Sequence, residues 1–260
     1  MRTIGLYFDL LWLDFQARSQ YRVDFFIGIG AAVLQHTVTL ATLWVIFGKV
    51  PALGGWNGAQ AAVLYALFTM AMGLVNLTGS GLRELPGLVE QGELDGLLIL
   101  PANPYFQLLP RFNPASLGDV LLGVAILVVG AGPAGIQWSP GAVVYCIIAV
   151  LCGTAVLLGL LTGLYALAFW VRQPGVTHGV EELTQLARYP TGIYPRWVQI
   201  LITWIFPVSF ASFYPAAVLT RVGSVPLWQG ALALPAAGLA AGLGAWLWHR
   251  GLRAYEGAGS

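Results

Sequence analysis

The chain has 260 residues, 58% hydrophobic and 9% charged, with twelve Lys and Arg against eleven Asp and Glu for a formal charge of +1 at pH 7; its mean hydropathy is +0.76. A soluble domain carries about 25% charged residues, and so few charges cannot cover a water-exposed surface. Composition therefore excludes a soluble globular domain and a disordered chain. Near-neutrality excludes a nucleic-acid binder, and what remains is an all-α polytopic membrane protein.

In chain order, residues 1–24 do not read as a signal peptide. Asp9, Asp14 and Asp24 interrupt any apolar core, and no small-residue cleavage site follows. Leu6, Leu10, Leu13 and Ala17 recur at helical spacing, with Tyr7, Trp12 and Phe15 among them. That pattern predicts an interfacial helix along the membrane, turning into the first span. A bilayer core of about 30 Å needs about 20 helical residues. Spans of that kind are predicted over 25–48, 61–79, 119–137, 141–171 and 226–248, as helices rather than strands. Arg2, Arg18, Arg22, Arg83, Arg111, Arg172, Arg188, Arg250 and Arg253 then fall on one side, with Lys49 and Arg221 on the other. This bias puts both termini in the cytoplasm. No linker or repeat divides the chain, which reads as a single transmembrane domain over 1–260.

Three segments carry the functional expectations. The only long hydrophilic excursion, 80–118, contains Glu90, Gly92, Glu93, Leu94, Asp95, Leu97, Leu98 and Pro101. Gly92 breaks the chain, a short helix follows, and Pro101 stops it. Leu94, Leu97 and Leu98 form one apolar face, which suits equally a groove on a soluble partner or the membrane surface. The stretch 190–222, with Tyr189 before it, holds Pro190, Tyr194, Pro195, Pro207, Tyr214 and Pro215. Prolines break helices there, so it reads either as a kinked structural span or as a helical hairpin that enters the membrane and returns, the prolines and tyrosines then shaping a gate or rim on the outer side. The third segment, 176–189, has Glu181 and Glu182. They belong to an amphipathic surface helix or, if the segment spans, to an intramembrane polar site.

No G-x-x-x-x-G-K-[ST] phosphate loop is present, so ATP-driven work by this chain needs a hydrolase on another chain. Cys146 and Cys152 read as free thiols, and His36, His178 and His249 lie too far apart for a local metal motif. Gly159-x-x-x-Gly163 and Gly238-x-x-x-Gly242 offer close helix packing.

The sequence resembles the membrane subunits of ABC-2-type transporters, in a branch of bacterial permeases that often work beside a second, related permease. The resemblance is carried by Tyr21-Arg22 before the first span, Gly92-Glu-Leu-Asp-x-Leu-Leu-x-x-Pro101, Tyr189-Pro-x-x-Ile-Tyr-Pro195, Pro207 and Tyr214-Pro215-Ala216. It implies six transmembrane helices, the fifth being 176–189, with 1–24 as a connecting helix and 190–222 as an outer re-entrant hairpin. It also implies a non-catalytic exporter subunit in the bacterial cytoplasmic membrane, paired with an identical or related permease chain. The 92–101 element would contact a separate ATPase that holds the ATP and Mg, leaving no cofactor and no catalytic residue in this chain. A secondary carrier, or a polytopic membrane enzyme built around Glu181 and Glu182, are the competing readings.

Overall fold

In a computed structural model the chain is all-helical, with no strand among the described residues 2–20, 22–171, 175–222 and 225–255. The helices are α1 (Arg2–Gln20), α2 (Arg22–Lys49), α3 (Gly58–Gly79), α4 (Leu85–Gln91), α5 (Leu94–Leu98), α6 (Pro104–Leu108), α7 (Pro114–Ala131), α8 (Pro140–Ala166), α9 (Gly175–Gln185), α10 (Arg196–Ile200), α11 (Phe213–Thr220), α12 (Leu227–Ala231) and α13 (Ala233–Ala254). Among the described residues, five stretches are long and apolar enough to cross a membrane: Phe26–Lys49, Gly58–Gln91, Pro114–Ala131, Pro140–Phe169 and Leu227–Ala254.

Local chemistry sets where these helices begin and end. Asn57 caps α3, accepting from the Gln60 amide at 2.9 Å while the Gln60 side chain accepts from the Asn57 amide at 2.9 Å. Ser139 caps α8, with Pro140 in its first turn. The sequence places the third span at 119–137, and the structure moves it to Pro114–Ala131. Asn113 caps the helix and Pro114 starts it. Gly135, at φ 79°, lets the Ile136 amide close onto the Ala131 carbonyl at 2.9 Å.

Contacts between helices give their directions. Gly73 lies against Val120 and Gly130 against Val63, so α3 and α7 are antiparallel. Gly230 lies against Tyr145, at the start of α8, and Gly251 against Phe169, just past its end, so α8 and α13 run parallel. The bundle therefore has two ends, marked by Trp56 before α3 and by Arg83 after it. Because α8 and α13 point the same way, the chain between them must return from the Arg83 end to the Trp56 end. It does so through α9 and the residues after it. Glu181 lies 3.3 Å from Arg83, and the Gly192 backbone lies against Gly54.

From there the chain turns back. α10 continues into a π-turn over Leu201–Ile205, Pro207 ends it, and a 3-10 turn over Val208–Ala211 leads to α11. Ala211 abuts Gly153 at the middle of α8. The Phe213 ring is 5.3 Å from that of Trp56. The segment thus dips beside α8 and comes back to the end it left.

α1 packs at the Arg83 end. The Tyr7 hydroxyl donates to the Thr78 carbonyl at 2.8 Å, Asp14 accepts from the Phe112 amide at 2.6 Å, and Phe15 meets Phe112 edge-on. Phe8, Trp12 and Leu13 stay exposed, an apolar face of the kind that lies against a membrane. Tyr21 and the Arg22 side chain lie outside the described residues.

Small residues hold α8 to α13. A Cβ on Gly159 would come within 2.5 Å of the Ala240 backbone, and Gly244 meets Gly159 from the other side. The glycine spacing on α8 is used, but the one on α13 is not: Gly238 and Gly242 have nothing near them, and Ala240 and Gly244 form the contact instead. Gly159→Ala should therefore destabilise by about 1–3 kcal/mol as the helices are forced apart. Gly238→Ala should be neutral or mildly stabilising. Thermal unfolding of the two purified variants compares them directly; equal melting temperatures would refute this packing.

Candidate functional site

At the Arg83 end the 80–118 excursion folds into a braced platform. Gly92, at φ 73°, ends α4 and turns the chain into α5. Gln107, itself buried, donates its side-chain amide to the Leu97 carbonyl at 3.2 Å and the Ala102 carbonyl at 2.8 Å. The Tyr105 hydroxyl meets Thr162 of α8 at 3.0 Å, and its ring lies 5.1 Å from Trp248 of α13. Burial pushes the Tyr105 phenol up, so it stays a neutral hydrogen-bonding group at physiological pH.

The platform alters the expected docking face. Leu94 is wholly buried, packed in the core with Leu85, Val89 and Leu108. It cannot meet a partner, because the apolar side of so short a helix is consumed by its own chain. Leu97 packs against the same core. The exposed apolar residues are Leu98 (42% exposed), Ile99 (83%) and Leu100 (53%). Glu90, Glu93 and Pro101 of the same excursion are also exposed and Asp95 is partly buried. The sequence reading missed Ile99 and Leu100, which lie past the α-helical turn.

The aromatic and proline residues of 189–215 do not converge. Tyr189 packs against the core cluster that contains Trp56. The Tyr194 hydroxyl reaches back to the Leu186 carbonyl at 3.2 Å. Tyr214 stacks on Phe210 at 4.6 Å. Pro190 is buried, Pro195 precedes α10 and is exposed, and Pro215 is buried in the first turn of α11. Pro207 lines an apolar cavity of about 350 Å³ between α8, α13 and the hairpin, with Trp204, Phe206 and Leu239.

Glu181 and Glu182 also diverge. Glu181 pairs with Arg83, which in turn donates to Asn76 at 2.9 Å. Glu182 points outward and is exposed. The Arg83–Glu181 pair is partly exposed and worth about 0–1 kcal/mol, but it ties α9 to the base of the platform. The side chain of His178 lies outside the described residues.

A polar string inside the bundle was not legible from spacing. Buried His36 of α2 contacts the Tyr65 hydroxyl of α3 at 2.6 Å through Nδ1 and Asp119 of α7 at 2.9 Å through Nε2. One imidazole thus joins three helices, across 83 residues of sequence to Asp119. The available signal was a histidine inside an otherwise apolar span. Arg188 approaches the same face of α3: its guanidinium carbon lies 5.5 Å from the centroid of the Phe68 ring, three residues along the helix from Tyr65. Arginine at the centre of a membrane helix costs about 2.5–3.5 kcal/mol on insertion scales.

Against this geometry, the sequence profile of a family described as ABC-2 family transporter protein matches residues 33–259. The chain belongs to the ABC-2 transporter family. The match runs from the middle of α2 to the C-terminal residues and takes in the platform, the α9 return and the hairpin. Members of this family are membrane components of transporters and generally work with an ABC ATPase. No curated protein and no solved structure gives a match.

Proposed function

We propose that this chain is the pathway-forming permease of an ABC exporter in the bacterial cytoplasmic membrane. Two permease chains, identical or related, enclose the route. A separate ATPase, which holds the ATP and Mg, docks on the platform at the Arg83 end. Nothing in this chain performs catalysis. Residues 175–192 form a short fifth crossing and 196–220 an outer re-entrant hairpin, giving six crossings and cytoplasmic termini. The parallel course of α8 and α13 supports the fifth crossing, and the contact of Phe213 with Trp56 supports the hairpin.

The observation that carries the ATPase assignment is the exposed tip Leu98–Leu100 on a platform anchored to α8 and α13. Exposed Glu90 and Glu93 precede this tip in the same excursion and make its surface acidic. An acidic rim is repelled by an anionic leaflet, which favours a soluble partner over the membrane surface. Nucleotide binding draws the two ATPase subunits together and moves the platforms. Tyr105, Trp248 and the Arg83–Glu181 pair carry that motion into α8, α13 and α9. ATP shifts the equilibrium only because it binds one arrangement better than the other.

Leu98→Asp with Ile99→Asp should reduce co-purification of the ATPase subunit by at least tenfold while the chain still inserts and folds. Both residues face solvent, so neither change buries a charge. Undiminished capture by the double variant would remove the docking role from this tip.

A further inference from the structure

We propose that Arg188 is the anion-recognising residue of the transport pathway and that the cargo is an amphiphile carrying an oxyanion, a phosphate or carboxylate on an apolar body. This rests on the permease reading and names the chemistry of its cargo.

Depth is the first argument. Phe68 is halfway along α3, about 15 Å from either end at 1.5 Å per residue, and the Arg188 guanidinium carbon lies 5.5 Å from the centroid of its ring. A structural arginine in a membrane either reaches an end of the bundle or pairs with an acid. Arg188 does neither. Asp119 is engaged by His36 and Glu181 by Arg83, and among the described residues no carboxylate pairs with Arg188. Its Nε is buried without a hydrogen-bond partner.

Two further orphaned polar atoms flank it in sequence and in fold. Thr69 Oγ1 follows Phe68 in α3, and Gln185 Oε1 precedes Arg188 by one turn; both are buried without a hydrogen-bond partner. Thr69 is one helical turn from Tyr65, on the side of α3 that Arg188 approaches. Buried polar groups left unpaired are costly, and an oxyanion would satisfy them together. The guanidinium presents paired donors suited to phosphate or carboxylate, Thr69 offers a hydroxyl, and the Gln185 amide can turn to present its NH2. Phe68 supplies an apolar wall.

The site is held in place and is reachable. The carbonyl of Ala187, the preceding residue, accepts from Ser212 Oγ at 2.5 Å, which fixes the backbone. Arg188 itself is only partly buried, which leaves it an open side where a second permease chain would close the pathway.

The test uses the permease assembled with its ATPase subunit in phosphatidylcholine nanodiscs. Dodecyl phosphate, dodecanoate, dodecyl maltoside and inorganic phosphate are titrated separately against wild type, Arg188→Gln and Arg188→Lys. Wild type is expected to bind the two anionic amphiphiles at least tenfold more tightly than the maltoside. Arg188→Gln should abolish that preference, and Arg188→Lys should retain part of it. Equal binding of anionic and neutral probes by wild type overturns the proposal without any variant, as does an unchanged preference in folded Arg188→Gln. Inorganic phosphate binding as tightly as dodecyl phosphate overturns the amphiphilic cargo and leaves a free oxyanion in its place. Capture of the ATPase is scored in the same samples. Its loss in wild type speaks against the permease reading, whereas intact capture with no anion preference speaks against the Arg188 site alone.

Discussion

Leu94→Asp should yield no folded permease, although Ile99→Asp, five residues further on, should fold normally. Leu94 has no exposed surface and sits among Leu85, Val89 and Leu108. Removing a buried leucine forfeits about 1.5–3 kcal/mol. An unpaired carboxylate put in its place adds a desolvation cost of several kcal/mol. Together these reach the whole stability of an ordinary domain, about 5–15 kcal/mol. Fluorescence-detection size exclusion of the two variants separates the outcomes: an aggregated or absent peak for Leu94→Asp, a monodisperse one for Ile99→Asp. A normal peak from Leu94→Asp would mean that α5 is not anchored to the core. It would also restore Leu94 as a candidate docking residue.

The second large effect is all-or-none and concerns sidedness. Cys146 and Cys152 are buried, so an introduced cysteine supplies the accessible thiol. Arg196→Cys, at the exposed start of α10, should react in intact cells with an impermeant thiol reagent. Glu90→Cys, exposed on the platform, should react only after the membrane is opened. The reason lies in the return path: Glu181 is tied to Arg83 at one end of α3, and Gly192 lies against Gly54 at the other. Glu181 to Arg188 is helical and only the residues around Tyr189 are extended, so the eleven residues cover about 25 Å, and the long Arg83 and Glu181 side chains bridge the remainder of the span of α3. The Tyr189 backbone, with φ −122° and ψ 154°, is extended. Labelling of both sites from the same side would eliminate the fifth crossing, and with it the six-crossing topology.

The amino-acid sequence determined the membrane class outright, because a chain with 9% charged residues has no soluble surface to present. It also determined four spans closely and placed the platform between the second and third. Apolar runs and proline breaks are local features, and residues such as Gly92 and Pro140 act on their immediate neighbours. Sequence patterning could not decide which face of a short helix is used. Leu94, Leu97 and Leu98 look alike in sequence, and only the packing of α5 against α4 and α6 buries the first and leaves the third exposed. Nor could patterning decide which small residues meet, since Gly238 and Ala240 differ only in what lies opposite them. The segment 175–192 is too short and too polar to register as a span; it becomes a candidate crossing only because α8 and α13 run the same way. The interior string was the least legible of all. His36, Tyr65, Asp119 and Arg188 lie on four separate segments, and a polar contact assembled from distant elements leaves no periodic trace along the chain. Only the tertiary structure brings them to one depth, where the low dielectric makes every unpaired charge consequential.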